Sequence, residues 1–435
     1  MDRSRYNQPV GGNEVAALLV PDNSEPLPHL NNSTQRSVLF NDIVRSTVPY
    51  LVNAKALWIF APLSLASRVF HWSSISTSIF SILAIIPLSA ILSNASDKLS
   101  DASGDLLGAL VNATFGNIVE LTIGILAVIH GDTAFAQSVM LGSILSDVLL
   151  VLGCCFFSAA WRMPIVELSM ILTGTFSSLM IITTVALIIP TVLSYTFGDS
   201  EPNIDKQIIS FSRGTAVVLL ILYIAYLYFE FVTHKELFEG EPEETAGDNG
   251  EDDSDAPPTP IAPLGPWQHM ELDMRKDTPS ISGLLGSFGV FISSALAIVL
   301  FSRFLFDSIN ETSKTTHISR TFIAIILIPI ASNSLECVTV VRASESGRVE
   351  FAVGVIVDSI LQIALFVLPA LVILGWVFGQ AMTLDFEAFQ AIIMFLTILL
   401  VNHLLSSGIY TYMHGILLVA WYVIIAAAFF LRGDI

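Results

Sequence analysis

Two glutamates in apolar stretches are the residues of this sequence most able to do chemistry. Glu120 lies in NATFGNIVELTIG and Glu336 in IPIASNSLECVTV, and the two segments align at a fixed offset of 216 residues. Apolar letters match readily by chance, but polar and small residues that keep register without a gap do not. The same offset pairs Asn117 with Asn333, Gly131 with Gly347, Ser143 with Ser359 and Leu145 with Leu361. The chain therefore contains an internal repeat with one glutamate in each half.

The repeat predicts a cation site. A carboxylate at mid-membrane costs at least ~2.5–3.5 kcal/mol, so it indicates a function unless a neighbouring helix merely hydrogen-bonds it. Two facing carboxylates are neutralised by one divalent cation or by two protons. Amide oxygens, serine hydroxyls and a backbone opened at a glycine would add further oxygen ligands, which favours a hard cation such as Ca²⁺ over Zn²⁺. The candidate ligands are Glu120, Glu336, Asn117, Asn333, Gly116, Ser143 and Ser359.

The composition indicates that membrane helices position these residues. Of 435 residues, 53% are hydrophobic and 13% are charged, whereas an ordinary soluble domain has about 25% charged residues. The mean hydropathy is +0.72, and the apolar residues lie in blocks of the ~20 residues that a bilayer requires. The predicted fold class is an all-α polytopic membrane protein, which excludes a soluble enzyme and a nucleic-acid-binding protein. Three cysteines within apolar stretches give no disulfide framework.

The apolar runs predict eleven transmembrane helices. Their approximate ranges are 53–70, 74–95, 105–129, 134–159, 166–193, 212–234, 281–306, 316–343, 350–377, 386–408 and 413–431. The glutamates lie on the third and eighth spans, and an odd difference of five makes those helices cross the membrane in opposite directions. We therefore expect two inverted five-helix repeats plus an extra N-terminal helix, the architecture of many secondary transporters.

The polar segments complete the predicted organisation. A polar N-terminal tail (1–52) precedes the first membrane helix (53–73), the first repeat (74–234), an acidic and Pro-rich linker (235–280) and the second repeat (281–435). The net charge is −19, and the linker contributes much of it, including Glu236, Glu239, Glu241, Glu243 and Glu244. The distribution of Lys and Arg favours a cytosolic N-terminus and a cytosolic linker. The acidic segment is then either a solvated surface or a regulatory element that concentrates or senses calcium.

NATFGNIVEL, followed by QSVMLGSILSDVLLVLG, resembles the first signature of the calcium/proton exchangers. These belong to the calcium/cation antiporter superfamily found in vacuolar membranes of fungi and plants, and the resemblance extends from about residue 55 to the C-terminus. It implies a central cation- and proton-binding pair, Glu120 and Glu336, with Gln362 joining the asparagines and serines around it. It also implies that Asp97 takes the place of a family glutamate linked to proton movement. No cofactor is expected, because Ca²⁺ and H⁺ are the transported ions.

The chain departs from the family pattern mainly in its second half. Cys337 stands where the family has a histidine, Asp358 stands where it has a glycine, and in the first half Asp147 occupies a usual asparagine position. These departures bear on proton coupling and ion selectivity. The sequence thus predicts an antiporter that exchanges cytosolic Ca²⁺ for protons of an acidic compartment. It leaves open transport of Mn²⁺, Na⁺ or K⁺ by the same fold, a transport-inactive scaffold or calcium sensor, and the oligomeric state.

Overall fold

The computed structural model of the chain describes residues 57–103, 111, 114–162, 165–197, 204–233 and 281–433. The side chains at 94, 97, 100–103, 162 and 281–284 are outside this description. The predicted tail (1–52), the acidic segment and the Asp97 side chain therefore lie outside the described residues. All described residues belong to the structural unit Thr47–Ile435.

Almost all of the described chain is helical, as expected where no water is present to satisfy backbone groups. The helices are α1 (Leu57–Val69), α2 (Ser74–Ser103), α3 (Ile118–Ile129), α4 (Thr133–Leu145), α5 (Leu152–Arg162), α6 (Met170–Phe197), α7 (Ile204–Tyr228), α8 (Ile281–Thr316), α9 (Arg320–Ser332), α10 (Ser334–Glu345), α11 (Val349–Gln362), α12 (Leu368–Val377), α13 (Ala388–Leu405) and α14 (Tyr412–Arg432). The π-helical segments are Ser146–Val151 between α4 and α5, Phe229–Thr233 after α7, Ile323–Leu327 within α9 and Ile363–Val367 between α11 and α12.

The helices have the length and composition of membrane spans. Within the described residues, eight helical segments are long and apolar enough to cross a bilayer, with α4–α5 and α11–α12 each counted as one. The number is nine if α9 and α10, which are bent by 49° at their junction, form a single span. Helices α1 and α3 are apolar but shorter. The predicted class of an all-α polytopic membrane protein is confirmed at this level.

Several helices extend beyond the predicted apolar spans. Helix α2 continues to Ser103 and α8 to Thr316, whereas the apolar runs predicted ends near 95 and 306. Helix α7 begins at Ile204 instead of 212. Hydropathy marks the part of a helix that needs hydrocarbon around it, whereas a helix continues wherever its backbone hydrogen bonds are satisfied, so these polar ends remain helical.

The helix boundaries follow the 216-residue offset of the sequence. Helices α3 and α10 each have 12 residues, and each begins directly after an asparagine. Helices α4 and α11 begin at Thr133 and Val349, which are again 216 residues apart. The turns before them contain Gly131 (φ +76°) and Gly347 (φ +89°), a left-handed conformation that glycine adopts without strain. The two halves therefore share local structure as well as sequence.

The helix packing places α4 and α11 at the centre. In the most apolar 18-residue stretch of the spans that contain them, 89% and 61% of the residues are buried. The corresponding share is 28–44% for the other spanning segments. Around them α2 packs along α8, α5 packs against α14, and α12 packs against α7. Two short strands, β1 (Val166–Glu167) and β2 (Ile409–Tyr410), pair antiparallel and connect the start of α6 to the start of α14. The helices that carry Ser143 and Ser359 are thus the most enclosed ones.

Candidate cation site

A helix break positions each glutamate. Asn117 (φ −103°, ψ 32°) and Asn333 (φ −84°, ψ 0°) leave the helical conformation, and α3 and α10 begin at the next residue. Glu120 and Glu336 therefore lie in the first turns of these helices. Neither asparagine side chain caps its helix, so both amide groups are available to other partners. The first four N–H groups of a helix lack partners within it, which makes such a break a polar point in an apolar bundle.

The break at Asn117 does not depend on the glycine before it. The equivalent break at Asn333 follows Ser332, and Gly116 is not among the described glycines with positive φ. A Cβ atom on Gly116 would meet only Gln362 Oε1, at 3.9 Å, an ordinary contact. No backbone conformation here requires glycine at 116, and its predicted carbonyl ligand remains a prediction.

Ser143 connects the two halves of the chain. Its Oγ lies 3.1 Å from Glu120 Oε1 and 3.2 Å from Asn333 Oδ1, and its single hydroxyl hydrogen can be donated to either oxygen. Asn333 donates from Nδ2 to the Ser143 backbone oxygen at 3.3 Å. Ser143, Glu120 and Asn333 are 0%, 2% and 5% exposed. The repeat-related motifs therefore meet in one buried cluster.

Asp147 is a third carboxylate in this cluster. Its Oδ1 accepts a hydrogen bond from Asn333 Nδ2 at 2.5 Å, and its Oδ2 accepts one from Ser359 Oγ at 3.0 Å. The side chain is fully buried, and it lies close enough to Glu336 and Glu120 to be affected by their charges. The sequence predicted a part for Asp147 in proton coupling or ion selectivity, and in the structure its carboxyl group also links two predicted ligands, Asn333 and Ser359.

Glu336 has an unsatisfied oxygen. Its carboxyl group is within reach of the Ser359 hydroxyl and of the Glu120 charge. Its Oε1, however, is buried and has no hydrogen-bond partner among the described residues. A buried carboxylate oxygen without a partner is costly, and a bound cation would satisfy it. A proton on the carboxyl group would lower the same cost, so the Glu336 oxygen fits a group that alternates between a bound cation and a bound proton.

The remaining predicted residues differ in how close they lie to the glutamates. Asn117 donates from Nδ2 to Gln362 Oε1 at 3.0 Å, so these two predicted ligands contact each other across the repeats. Asp358 accepts a hydrogen bond from the Tyr226 hydroxyl on α7 and adds a negative charge near Glu336. The structure thus joins Glu120, Asn333, Ser143 and Ser359 through shared contacts, whereas Asn117 and Gln362 form a separate pair across the repeats.

The donor set suits a transported hard cation. Three carboxylates, two amides and two serine hydroxyls surround the breaks, and Ca²⁺ takes six to eight such oxygens in flexible geometry. In the described part of the chain, no three carboxylate, imidazole or thiol groups are arranged as a preformed metal centre. The described residues therefore offer carboxylates supplemented by neutral oxygens and not a preformed metal cage.

Sequence reasoning missed two residues near the cluster. Ser332 lies 3.2 Å from Asn333 Oδ1 through its Oγ and is also within hydrogen-bonding reach of Glu120. It is the repeat counterpart of Gly116, so alignment of the halves could have identified it. Glu230, at the end of the sixth predicted span, is a buried carboxylate. The cost of a membrane-embedded charge was the signal for it.

Comparison with known proteins gives a consistent family match. The family model described as "Sodium/calcium exchanger protein" matches residues 73–232 and 286–431, more than half of the chain and one segment in each half. A vacuolar calcium ion transporter of Schizosaccharomyces pombe is 33% identical, over 92% of this chain and 90% of the relative. A Ca²⁺/H⁺ antiporter of Synechocystis sp. is 31% identical, over 86% of this chain and 96% of the relative.

Solved structures show the same architecture. The structure of native YfkE aligns with a TM-score of 0.68 and 26% identity, covering 86% of this chain and 99% of that one. The crystal structure of the H⁺/Ca²⁺ exchanger CAX aligns with a TM-score of 0.59 and 16% identity, covering 87% of this chain and 91% of that one. At 16% identity the second likeness concerns the fold alone.

Proposed function

This chain belongs to the sodium/calcium exchanger protein family, and from that premise we propose that it is a secondary antiporter exchanging cytosolic Ca²⁺ for protons of an acidic compartment. As an exchanger it is a transporter and not an enzyme. The names of its relatives, a vacuolar calcium ion transporter and a Ca²⁺/H⁺ antiporter, support this pair of ions and a vacuolar membrane.

One observation carries the proposal. Two glutamates related by the internal repeat lie at two helix breaks. Ser143 connects the two breaks, because its hydroxyl contacts Glu120 of the first half and Asn333 of the second. Neither half of the chain forms this cluster alone. A site built at the junction of two repeats can be opened alternately to either side by rocking one repeat against the other.

Charge compensation couples the two ions. With both Glu120 and Glu336 ionised, an ion-free cluster would hold uncompensated buried charge, which costs several kcal/mol or more. One Ca²⁺ neutralises the pair, and so do two protons. Only these compensated states would rock at an appreciable rate, so Ca²⁺ leaves on one side only when protons replace it. This charge balance requires that Asp147 stay protonated throughout the cycle, and Asp147 would then hold Asn333 and Ser359 in place by accepting a hydrogen bond from each.

Transport by the purified protein tests the proposal. We expect vesicles with an acidic interior to accumulate radioactive calcium through the protein and to stop when a protonophore collapses the gradient. Competition by Mn²⁺, Na⁺ and K⁺ ranks the cations that the site accepts. Gradient-independent calcium accumulation, or none with correctly inserted protein, would rule out calcium/proton exchange.

We also propose the number of membrane spans and their orientation. We assign eleven spans, with α1 as the extra helix, α3 and the chain preceding it as the third span, and α9–α10 as the broken eighth span. The two matched segments of the family model and the equal boundaries of α3 and α10 support two repeats of five spans. Equivalent spans are five apart in the order of the chain, and this odd number makes the two repeats inverted relative to each other. We place the N-terminus in the cytosol.

Eleven spans predict that the two chain termini lie on opposite sides of the membrane. A protease-accessible tag at the N-terminus should be cleaved in sealed vesicles whose cytosolic face points outward, while the same tag at the C-terminus should be protected. Detergent should expose both tags equally, which serves as the control. Cleavage of both tags in sealed vesicles would require an even number of spans.

The acidic segment is expected to regulate transport without forming the transport site. Its charges lie outside the predicted spans and are screened within about 8–10 Å at physiological salt. Deleting residues 239–255 should leave proton-driven uptake intact and change its dependence on cytosolic calcium concentration. Uptake measured over a calcium titration checks this. Complete loss of uptake at normal expression would place the segment in the transport machinery.

A further inference from the structure

A second group of oxygens, here called the α7–α11 cluster, consists of Glu230, Asp358, Tyr223 and Tyr226. The Tyr226 hydroxyl donates a hydrogen bond to Asp358 Oδ1. The Glu230 carboxyl group is within hydrogen-bonding reach of both Asp358 and Tyr226. Glu230 and Tyr226 are 7% and 4% exposed. The cluster therefore places two carboxyl groups within hydrogen-bonding reach of each other, with Glu230 buried and Asp358 partly exposed.

An unpartnered hydroxyl lies near these carboxyl groups. Tyr223 is 2% exposed, and its Oη has no hydrogen-bond partner among the described residues. The hydroxyl lies within the electrostatic influence of both Asp358 and Glu230. Its ring is held by stacking on Phe366, with 5.3 Å between centroids. A buried tyrosine hydroxyl normally finds a partner, so this one is a polar atom that a bound ion would satisfy.

The chemistry of the α7–α11 cluster fits a cation. Two adjacent carboxyl groups repel each other when both are ionised, so they must share a proton or hold a positive ion. Their described neighbours are tyrosine hydroxyls, which are neutral and leave the charge uncompensated. Two carboxylates are ligands that Ca²⁺ favours, and up to four oxygens when both bind with both atoms leave positions for water among the six to eight that Ca²⁺ takes; the two phenolic oxygens lie beside them.

We propose that Glu230, Asp358, Tyr223 and Tyr226 form a second binding site for a divalent cation, separate from the Glu120–Glu336 pair. Asp358 directly precedes Ser359, whose Oγ donates to Asp147 in the central cluster, so the two sites are adjacent along α11. Glu230 precedes the acidic segment by only six residues in the sequence. Along the sequence, Glu230 of this site thus adjoins the acidic segment and Asp358 adjoins the central cluster. Only the identity of the ion, Ca²⁺, rests on the proposed function.

The repeat has no equivalent of this site in the first half. Asp358 aligns with Gly142, and a Cβ atom on Gly142 would lie 2.4 Å from the backbone oxygen of Ile325. No side chain fits at that position, whereas Asp358 faces Tyr226 of α7. The second site is therefore single and breaks the symmetry between the two halves.

Calcium binding in a protein without the central pair tests the proposal. The background is full-length purified protein carrying Glu120→Gln and Glu336→Gln, and bound radioactive calcium is measured at equilibrium. Adding Glu230→Gln and Asp358→Asn should remove one bound calcium per chain. The acidic segment is present in both proteins, so its own binding cancels in the difference. Adding Glu311→Gln instead, an exposed carboxylate whose oxygen accepts from Ser74, is the matched control and should remove none.

A milder variant covers the case in which the quadruple variant fails to fold. Tyr223→Phe removes only the unpartnered hydroxyl and should weaken this component of binding about fivefold, the scale of one net polar contact. Equal calcium binding before and after these changes in folded protein would overturn the proposal, and so would loss of an equal amount in the Glu311→Gln control. Because binding is measured where the central pair is already neutralised, the result is independent of whether wild-type protein exchanges calcium for protons.

Discussion

Replacing Glu120 or Glu336 by Gln should abolish proton-driven Ca²⁺ uptake while leaving the protein folded and inserted. Glutamine keeps the size and one oxygen of the side chain, but it neither carries a negative charge nor releases a proton. The one carboxylate that remains of the pair cannot by itself exchange a divalent cation for two protons. Each single variant should therefore lose essentially all uptake, and the double variant should be no worse than either one.

The measurement is initial uptake of radioactive calcium into vesicles with an acidic interior. Glu167→Gln is the matched control, because Glu167 is an exposed carboxylate on β1, and it should transport like wild type. Elution volume and thermal unfolding in detergent check that each variant is folded. A Gln variant that keeps at least half of wild-type uptake would remove that glutamate from the proposed mechanism.

Gly142→Ala should reduce uptake at least tenfold and lower the thermal unfolding temperature. The added methyl carbon would lie 2.4 Å from Ile325 O, 2.5 Å from its Cα and 2.8 Å from its carbonyl carbon. These are backbone atoms of the π-helical segment in α9, so no side-chain rotation relieves the collision. Helix α4 must move away from α9, which costs about 1–3 kcal/mol for an overpacked core. The next residue is Ser143, so the movement also separates Ser143 from Asn333.

A glycine in open surroundings supplies the control for this change. Gly174 lies in α6, and a Cβ atom there would meet nothing within 4 Å. Since Ala has the higher helix propensity, Gly174→Ala should leave uptake and unfolding temperature unchanged or slightly raise the latter. Wild-type uptake and stability in Gly142→Ala would show that α4 and α9 do not need this close contact.

The sequence by itself determined that the chain is a membrane protein, that it contains an internal repeat, and where the backbone breaks and turns lie near the two glutamates. Apolar blocks of about 20 residues and two embedded glutamates are interpretable without coordinates, because the cost of charge in hydrocarbon is a property of each residue. The 216-residue offset of the sequence reappears in the starts of α3 and α10 and of α4 and α11. Helix breaks and left-handed turns are set by residues close in the chain, so an aligned sequence predicts aligned boundaries.

Only the tertiary structure decided which side chains meet. Ser143 contacts Asn333, 190 residues away, and Ser359 contacts Asp147, 212 residues away. Tyr226 reaches Asp358 from a different helix. Such pairs depend on the angles and rotations at which helices pack, and no local pattern encodes these. The role of Asp147 as a link between ligands, the unsatisfied Glu336 oxygen and the pairing of Glu230 with Asp358 therefore appear only when the two halves are packed together.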